Sequence, residues 1–234
     1  MSDLQRLAAD LSAVMEPTFE RLERIADVVR AARGAPGRWS EADLAPVQEV
    51  ITELIAVDDL TVGMGFVAAP LVVAGHERAM LWWQRNDGRT TRLRLNFDRS
   101  SIDVYDYVEM EWYQLAAAGR GRVTMGPYVD YSGSELYIVT ASVPVVVGDT
   151  FVGIAGADVL FSELERRLVA VVRDAPGDVV VVSAERRVIV ANSPRWVPGA
   201  RLPQAPAVGD DFAAVEPLPL GGGWTLCLAS EGGG

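Results

Sequence analysis

Aromatic and acidic side chains are concentrated in one short stretch of the chain, VYDYVEMEWY at residues 104–113. All six tyrosines of the chain lie between Tyr105 and Tyr137. Aromatic faces attract cations, each contact being worth about 0.5–2 kcal/mol, and a carboxylate adds a charge-assisted hydrogen bond to an ammonium group. These residue types together predict a site for a small positively charged molecule.

A helix is the element that would position these side chains, and we predict one over residues 102–119. At about 100° per residue, one face of this helix carries four candidates, with Met110 beside them: Tyr105, Glu109, Trp112 and Tyr113. Rings at helical spacing are also typical of a hydrophobic core, which is the alternative. Tyrosine hydroxyls and interleaved carboxylates need polar partners, and this favours a cleft over a dry core.

The composition excludes several kinds of protein and of site. The formal net charge of -11 disfavours nucleic acid and anionic membranes as partners. One histidine, His76, and one cysteine, Cys227, exclude metal sites built from three histidines or four cysteines. We predict no metal and no cofactor. Lysine is absent and no nucleophile motif is present, so we predict that the chain is not an enzyme, although paired carboxylates leave glycosidase chemistry open.

Targeting and membrane signals are not visible in the sequence. The N-terminus lacks the basic region and apolar core of a signal peptide. No apolar run reaches the roughly 18 residues that a bilayer-spanning helix needs. We therefore expect a cytoplasmic protein that has no membrane partner.

Apolar residues at spacings of three and four predict a long N-terminal helix over residues 3–33, which Pro17 should kink or divide. The apolar stripe runs from Leu4 to Val29. It either packs on the helix's own domain or forms the seam of a homodimer, because heptad-like spacing suits a paired helix. A second helix is predicted over residues 41–56.

Strands are predicted from alternating or apolar runs at residues 60–68, 78–85, 91–97, 134–147, 150–160, 177–192 (a pair of strands) and 222–229. Polar turns at 86–88 and 148–149 join neighbouring strands, which favours antiparallel pairing. Trp82 and Trp83 cannot point to the same side of a strand, so we expect one in the core and one at a cleft or an interface. A helix is predicted over 161–175.

The order of these elements predicts an α+β fold, in which a long N-terminal helix is followed by two antiparallel-sheet modules. We divide the chain into a helical region at 1–57, a ligand-binding module at 58–160 and a second, smaller module at 161–234.

Three segments carry a family resemblance: YDYVEMEWY, GPYVDYSG and YIVTASVPVVVGDTFVGIAGADV. They resemble the double Cache family of PAS-like ligand-sensing domains from bacterial receptors. The stretches VVVVSAERRVIVANS and LPLGGGWTLCL are similar to the second module of that family. The resemblance implies two PAS-like modules after a long N-terminal helix, with the ligand in the first module.

The amino-acid-binding branch of this family has a tyrosine, an arginine five residues later, a Trp-Tyr pair, a later tyrosine and a distant aspartate. The resemblance implies that the matching residues here bind the ligand: Tyr105, Trp112, Tyr113, Tyr128 and Asp158. Met110 stands at the arginine position. In the family this arginine grips the ligand's α-carboxylate, so its absence favours an amine without a carboxylate. Glu109 is a further candidate because it faces the rings, and Asp158 could instead cap the helix that follows it.

We therefore expect a soluble, stand-alone member that senses a small amine or quaternary ammonium, held by an aromatic cage and Asp158. An amino-acid or other small-metabolite sensor is the first alternative. A protein-interaction or dimerisation module without a small ligand is the second. A sensor of this kind would pass its signal on through a homodimer formed by the N-terminal helix, or through a separate signalling partner protein.

Overall fold

A computed structural model of the protein describes residues 2–32, 39–57, 59–86, 88–131, 134–209 and 211–230. Two compact units make up the chain: residues 18–161, and the residues up to 17 together with those from 162 onward. Each unit holds one antiparallel sheet, so the predicted α+β fold with two sheet modules is confirmed. No helix in these described ranges combines the length and the apolar character needed to cross a bilayer.

The N-terminal segment forms two helices, α1 at Asp3–Ala13 and α2 at Glu16–Arg30, in place of one long helix. The break lies at residues 14–15, and Pro17, which was predicted to kink or divide the helix, occupies the first turn of α2, where a missing N–H is tolerated. Several stripe residues are buried within the single chain: Leu11, Met15, Phe19, Leu22, Ile25 and Val29. The stripe is covered without a second copy of the chain, and the homodimer stays a prediction. Arg33, at the end of the predicted helix, lies outside the described residues.

Helix α3 spans Ala45–Leu54, inside the predicted range of 41–56. A polar turn precedes it, in which the Asp43 carboxylate accepts hydrogen bonds from the Ser40 backbone N–H at 2.8 Å and from the Ser40 hydroxyl at 2.6 Å. This pairing of Ser40 with Asp43 fixes the chain direction at the approach to α3.

Six strands form the sheet of the larger unit, in the order β3-β2-β1-β6-β5-β4, with antiparallel pairing throughout. They are β1 at Thr61–Ala68, β2 at Met80–Asn86, β3 at Arg89–Arg92, β4 at Val123–Val129, β5 at Tyr137–Val147 and β6 at Thr150–Leu160. The predicted turn at 148–149 joins β5 to β6 and has Gly148 at φ +58°, which glycine adopts without strain. The predicted turn at 86–88 includes Asp87, which lies outside the described residues.

Two features of this sheet differ from the sequence expectation. β3 ends at Arg92, so the alternation predicted to continue to residue 97 does not form a strand there. β4 was not predicted, because Gly126 and Pro127 interrupt its pattern. β4 is an edge strand, and an edge strand tolerates a proline because one row of its backbone groups needs no partner.

The predicted helix over residues 102–119 is wrong in its first half. Helical structure there is limited to a 3-10 turn and to α4, Glu111–Ala117. Met110, between the two, is extended at φ −77° and ψ 135°. The Tyr107 hydroxyl donates a hydrogen bond to the Ala68 carbonyl at 2.6 Å, which ties the 3-10 turn to the end of β1. This long-range anchor overrides the local helical pattern.

Helix α5, Phe161–Val172, leads into the smaller unit, whose four strands have the order β8-β7-β10-β9. These strands are β7 at Val179–Val182, β8 at Val188–Ala191, β9 at Phe212–Pro217 and β10 at Thr225–Ala229. Their core is apolar and includes Val180, Val182, Val188, Phe212 and Cys227. All but β9 were predicted; the small and charged residues of β9 lack a clear alternation.

Candidate functional site

One face of the six-stranded sheet forms the floor of a cleft. Side chains two residues apart on a strand share a face, so Trp82 and Gln84 of β2 lie on the same side as Gly156 and Asp158 of β6. Helix α4 packs on β4, β5 and β6 and, with the segment after β3, provides the rest of the wall. The complete lining is Met80, Trp82, Gln84, Leu93, Leu95, Tyr105, Trp112, Tyr128, Asp130, Thr140, Ile154, Gly156 and Asp158.

The cleft is narrow. Its cavity volume is about 20 Å³. A volume of about 10–15 Å³ on this measure holds one water molecule. The cleft therefore suits a ligand with few non-hydrogen atoms.

Three glycines allow the Trp82 indole to lie flat on the floor of the cleft. Gly65 of β1 is paired with Trp82 on one side and with Gly156 on the other. A methyl group on Gly156 would lie 3.2 Å from the indole, and one on Gly63 would lie 2.8 Å from Trp82 Nε1. Glycine inside a strand weakens the strand but permits such a close approach. Trp83 is buried on the opposite face, which confirms the prediction that the two tryptophans separate.

A chain of hydrogen bonds leads from an aromatic ring to the buried carboxylate. Thr140 Oγ1 donates to Asp158 Oδ1 at 2.8 Å, and the Tyr128 hydroxyl lies 2.6 Å from Thr140 Oγ1. A threonine hydroxyl has one proton to give, so Tyr128 is the donor in the second bond. The chain fixes the Tyr128 ring and occupies Oδ1. Within the described residues no hydrogen bond ends on Oδ2, the other oxygen of Asp158.

The electrostatics of the cleft are acidic. Burial raises the pKa of Asp158 to about 7, the charge of Asp130 adds to this effect, and the hydrogen bond from Thr140 opposes it. Burial also raises the pKa values of Tyr105 and Tyr128, so both phenols stay neutral. Among the described lining residues there is no arginine and no histidine. The described lining of the cleft is therefore acidic, with the buried carboxyl group of Asp158 at its floor and Asp130 beside it.

Two nitrogen donors in the cleft lack acceptors among the described residues. These are Trp82 Nε1 and Gln84 Nε2, both of which are buried. The indole N–H is a donor only, whereas the amide of Gln84 could be turned to present its oxygen. Buried donors of this kind are normally bonded to protein, water or a ligand.

Four of the residues predicted for the site line the cleft together: Tyr105, Trp112, Tyr128 and Asp158. Met110 and Tyr113 do not line it and pack in the adjacent hydrophobic cluster. Glu109 is exposed to solvent. The extended backbone at Met110 breaks the helical face on which Glu109 was expected to join the rings. The described residues contain no cluster of three or more metal-ligating side chains.

The six tyrosines serve different roles rather than forming one group. Tyr105 and Tyr128 line the cleft, whereas Tyr107 and Tyr113 are buried with their ring centroids 5.4 Å apart. Tyr131 is exposed, and the Tyr137 ring packs edge-on against another aromatic ring. The concentration of tyrosines in the sequence therefore overstated the size of the aromatic cage.

Sequence reasoning missed three polar lining residues, Gln84, Asp130 and Thr140, and left open which of Trp82 and Trp83 faces the cleft. A signal for the floor was present in the paired glycines of VGMGF and GIAG, since glycine inside a strand often marks close approach. Thr140 carried no such signal, because its position opposite Asp158 depends on the register between β5 and β6.

The sequence matches the family model of the methyl-accepting chemotaxis protein-like, first PDC sensor domain, over residues 47–166. A curated relative is the methyl-accepting chemotaxis protein PscA of Pseudomonas syringae pv. tomato, 29% identical over 86 residues. That stretch is 37% of this chain and 14% of the receptor, so the chain corresponds to a small part of the receptor's length.

Solved structures share the fold. A structure of methyl-accepting chemotaxis protein X has a TM-score of 0.64 and 16% identity, covering 97% of this chain and 94% of the other. The ligand-binding domain of the Pseudomonas aeruginosa amino-acid chemoreceptor PctC, in complex with GABA, has a TM-score of 0.56 and 16% identity, covering 97% and 96%. That of the Campylobacter jejuni chemoreceptor Tlp3, in complex with L-norvaline, has a TM-score of 0.58 and 12% identity, covering 96% and 89%. The double Cache resemblance is thus confirmed, and the chain belongs to the family of the methyl-accepting chemotaxis protein-like, first PDC sensor domain.

Proposed function

We propose that this sensor domain binds a small amine or quaternary ammonium in the cleft of its larger unit. The observation that carries the proposal is the lining, which combines the rings of Tyr105, Trp112 and Tyr128 with Asp130 and Asp158 and includes no described basic residue. A positively charged guest would neutralise the carboxylates and contact the ring faces. The function is one of binding and signalling, without a catalytic step.

Asp158 is the main anionic contact in this proposal. Its Oδ1 is occupied by Thr140, so Oδ2 is the oxygen left to accept an N–H of the ligand. The Tyr128 ring is held in place by the same hydrogen-bond chain. A primary or secondary ammonium would use both the carboxylate and the rings, while a quaternary ammonium would use the charge and the rings alone.

An amino acid is the second candidate ligand, and a specific observation favours it. Trp82 Nε1 and Gln84 Nε2 are buried donors without acceptors among the described residues, and both residues line the cleft. A ligand carboxylate could accept from them while its ammonium group faces Asp158. PctC and Tlp3, which share the fold, are complexed with GABA and L-norvaline. The absence of a guanidinium at Met110 argues against this candidate, because an uncharged donor pair holds a carboxylate more weakly than arginine does.

The third candidate is an interaction module that binds no small molecule. The cleft beside Trp112 weighs against it, since a core filled by its own side chains would leave no such space.

Assembly through the N-terminal helices, a cytoplasmic location and a separate signalling partner remain parts of the proposal. Light scattering on the native protein tests the homodimer, and a monomeric mass would end that part.

Thermal-shift measurements with a panel of small molecules test the ligand class. The panel contains ethylamine, tetramethylammonium, GABA and L-norvaline, because a ligand that binds the folded state raises the melting temperature. We expect stabilisation by the amines and little or none by L-norvaline. If the amino acids stabilise the protein and the amines do not, the charge argument is wrong and the second candidate takes its place.

A further inference from the structure

A second cavity of different chemistry lies in the larger unit. Its volume is about 160 Å³, compared with about 20 Å³ for the cleft. Much of its wall is apolar and includes Leu44, Phe66 and Leu81. Met80 is the one described residue that lines both spaces.

A buried arginine with unused donors lines this cavity. Arg78 is 9% exposed, and its Nη2 donates to Asp106 Oδ2 at 2.9 Å. Its guanidinium carbon lies 5.6 Å from the centroid of the Tyr107 ring. The other two nitrogens, Nε and Nη1, are buried and find no acceptor in the described part of the chain. A buried guanidinium with donors left over is costly, so an acceptor from outside the chain would stabilise it.

The charge balance at this cavity is opposite to that of the cleft. Arg92 and His76 also line it, and Glu41 is the one acidic side chain among its described lining residues. Arg92 Nη2 lies 3.3 Å from Glu41 Oε1, so that carboxylate is already engaged with a cation. Arg78 is therefore the cationic group at this cavity whose N–H donors lack acceptors among the described residues.

We propose that this cavity is a second binding site, for a small carboxylate with an apolar body. The carboxylate would accept hydrogen bonds from the Arg78 guanidinium, for which arginine is well suited. The apolar body would contact Leu44, Phe66 and Leu81, and this favours an organic acid over inorganic phosphate or sulfate. The proposal does not depend on what the cleft binds, because the two spaces use different charged residues.

Calorimetric titration of the full chain with benzoate tests the proposal, with benzyl alcohol as the neutral molecule of similar shape and sulfate as the anion without an apolar body. We expect saturable binding of benzoate in the millimolar range or tighter, and at least about tenfold weaker binding of the other two. Benzyl alcohol lacks the charge that pairs with Arg78, and sulfate lacks the apolar body that contacts the cavity wall. Equal binding of benzoate and benzyl alcohol, or no binding of benzoate, would overturn the assignment.

Three variants locate the site. Arg78→Gln should weaken benzoate binding about tenfold or more through the loss of the charged donor. Because this change also leaves Asp106 without its partner, Ala79→Leu serves as a second variant: Ala79 lines the cavity, and a larger side chain fills the space without changing the charge. Asp158→Ala, in the cleft, should leave benzoate binding unchanged. Benzoate binding that survives both Ala79→Leu and Arg78→Gln, or that is lost in Asp158→Ala, would place the carboxylate elsewhere.

Discussion

In the six-stranded sheet, β6 presents Gly156 and Asp158 on the face that forms the cleft, whereas in the four-stranded sheet β7 buries four consecutive valines. Both strands are internal to antiparallel sheets. The core of the smaller unit is built from side chains such as Val180 and Cys227, which need no partner. The larger unit instead buries hydroxyls and a carboxylate, including Thr140 and Asp158.

This difference distinguishes buried residues that stabilise the fold from a buried residue that is suited to bind a ligand. The four-stranded sheet shows that the chain can form a strand core from apolar residues alone. Burying a carboxyl group costs free energy, which appears here as the raised pKa of Asp158. A group that is costly to the ligand-free fold is a strong candidate for binding, since a bound cation would repay that cost.

The largest expected effect is on ligand binding by Asp158→Ala. Loss of the carboxylate removes both the charge and the acceptor oxygen, so we expect the affinity for ethylamine to fall about 100-fold or more, with the fold retained. Calorimetric titration measures the affinity, and circular dichroism checks the fold. Asp130→Asn is the matched control, with a smaller expected loss because Asp130 already accepts hydrogen bonds from Ser134. An unchanged affinity in Asp158→Ala would remove the site.

Removing the charge of Asp158 should weaken ligand binding but should make the ligand-free protein more stable. The folded-state pKa of Asp158, about 7, lies above its ordinary value of 3.8, so the stability that this proton contributes is present at low pH and is lost as the pH rises through 7. Asp158→Asn cannot ionise. As the pH rises from about 4 to about 8, we expect the free energy of unfolding of the variant to increase relative to that of the native protein by on the order of 4 kcal/mol, measured by urea denaturation.

Val180→Asn in the four-stranded sheet is the counterpart of that change. Val180 is fully buried in an apolar core, so the side-chain amide of the asparagine would lack hydrogen-bond partners. The substitution should therefore destabilise the protein by about 1–3 kcal/mol at both about pH 4 and about pH 8. Equal losses in the free energy of unfolding from Asp158→Asn and Val180→Asn would show that Asp158 is an ordinary structural residue.

The affinity for a cation should depend on pH through Asp158. Below its pKa of about 7 the carboxyl group must lose a proton before it can pair with a cation. Ethylamine stays protonated throughout, so its affinity should rise about tenfold from about pH 6 to pH 8 and level off above that. The same titrations on Asp158→Asn provide the control, for which we expect weak binding that does not change with pH. A native profile as flat as that of the variant would count against the assignment.

The smallest expected effect comes from the floor of the cleft. In Gly156→Ala the new methyl group would lie 3.2 Å from the Trp82 indole, so the indole must move. We expect an affinity loss of about fivefold, in line with the worth of one cation–π contact. Gly121→Ala is the control, because a methyl group there meets no atom within 4 Å. If both variants bind as the native protein does, the flat indole is not part of the site.

The fold was predictable where local pattern and tertiary structure agree. The apolar runs of β1, β5 and β6 identified the central strands, and the turn at Gly148 set the pairing of β5 with β6. The prediction failed where a distant contact decides the conformation. Residues 102–106 have a helical pattern, yet Tyr107 is tied to the Ala68 carbonyl, and the helix starts only at Glu111.

The site was predictable to the extent that its residues lie close in sequence or match a family motif. Tyr105, Trp112, Tyr128 and Asp158 were identified in this way and line the cleft. Thr140 could not be, because its role follows from pairing with Asp158 across two strands. The position of Glu109 was missed for a related reason: the helical face that placed it among the rings assumed a continuous helix.

Calorimetric titration of the native protein at about pH 8 with ethylamine and with ethanol tests whether the cleft selects its ligand by charge. The two molecules have nearly the same size, and only ethylamine carries a charge. The account predicts saturable binding of ethylamine and at least about a tenfold weaker response to ethanol. Binding of both with equal affinity, or of ethanol alone, would contradict the claim that the cleft selects its ligand by positive charge.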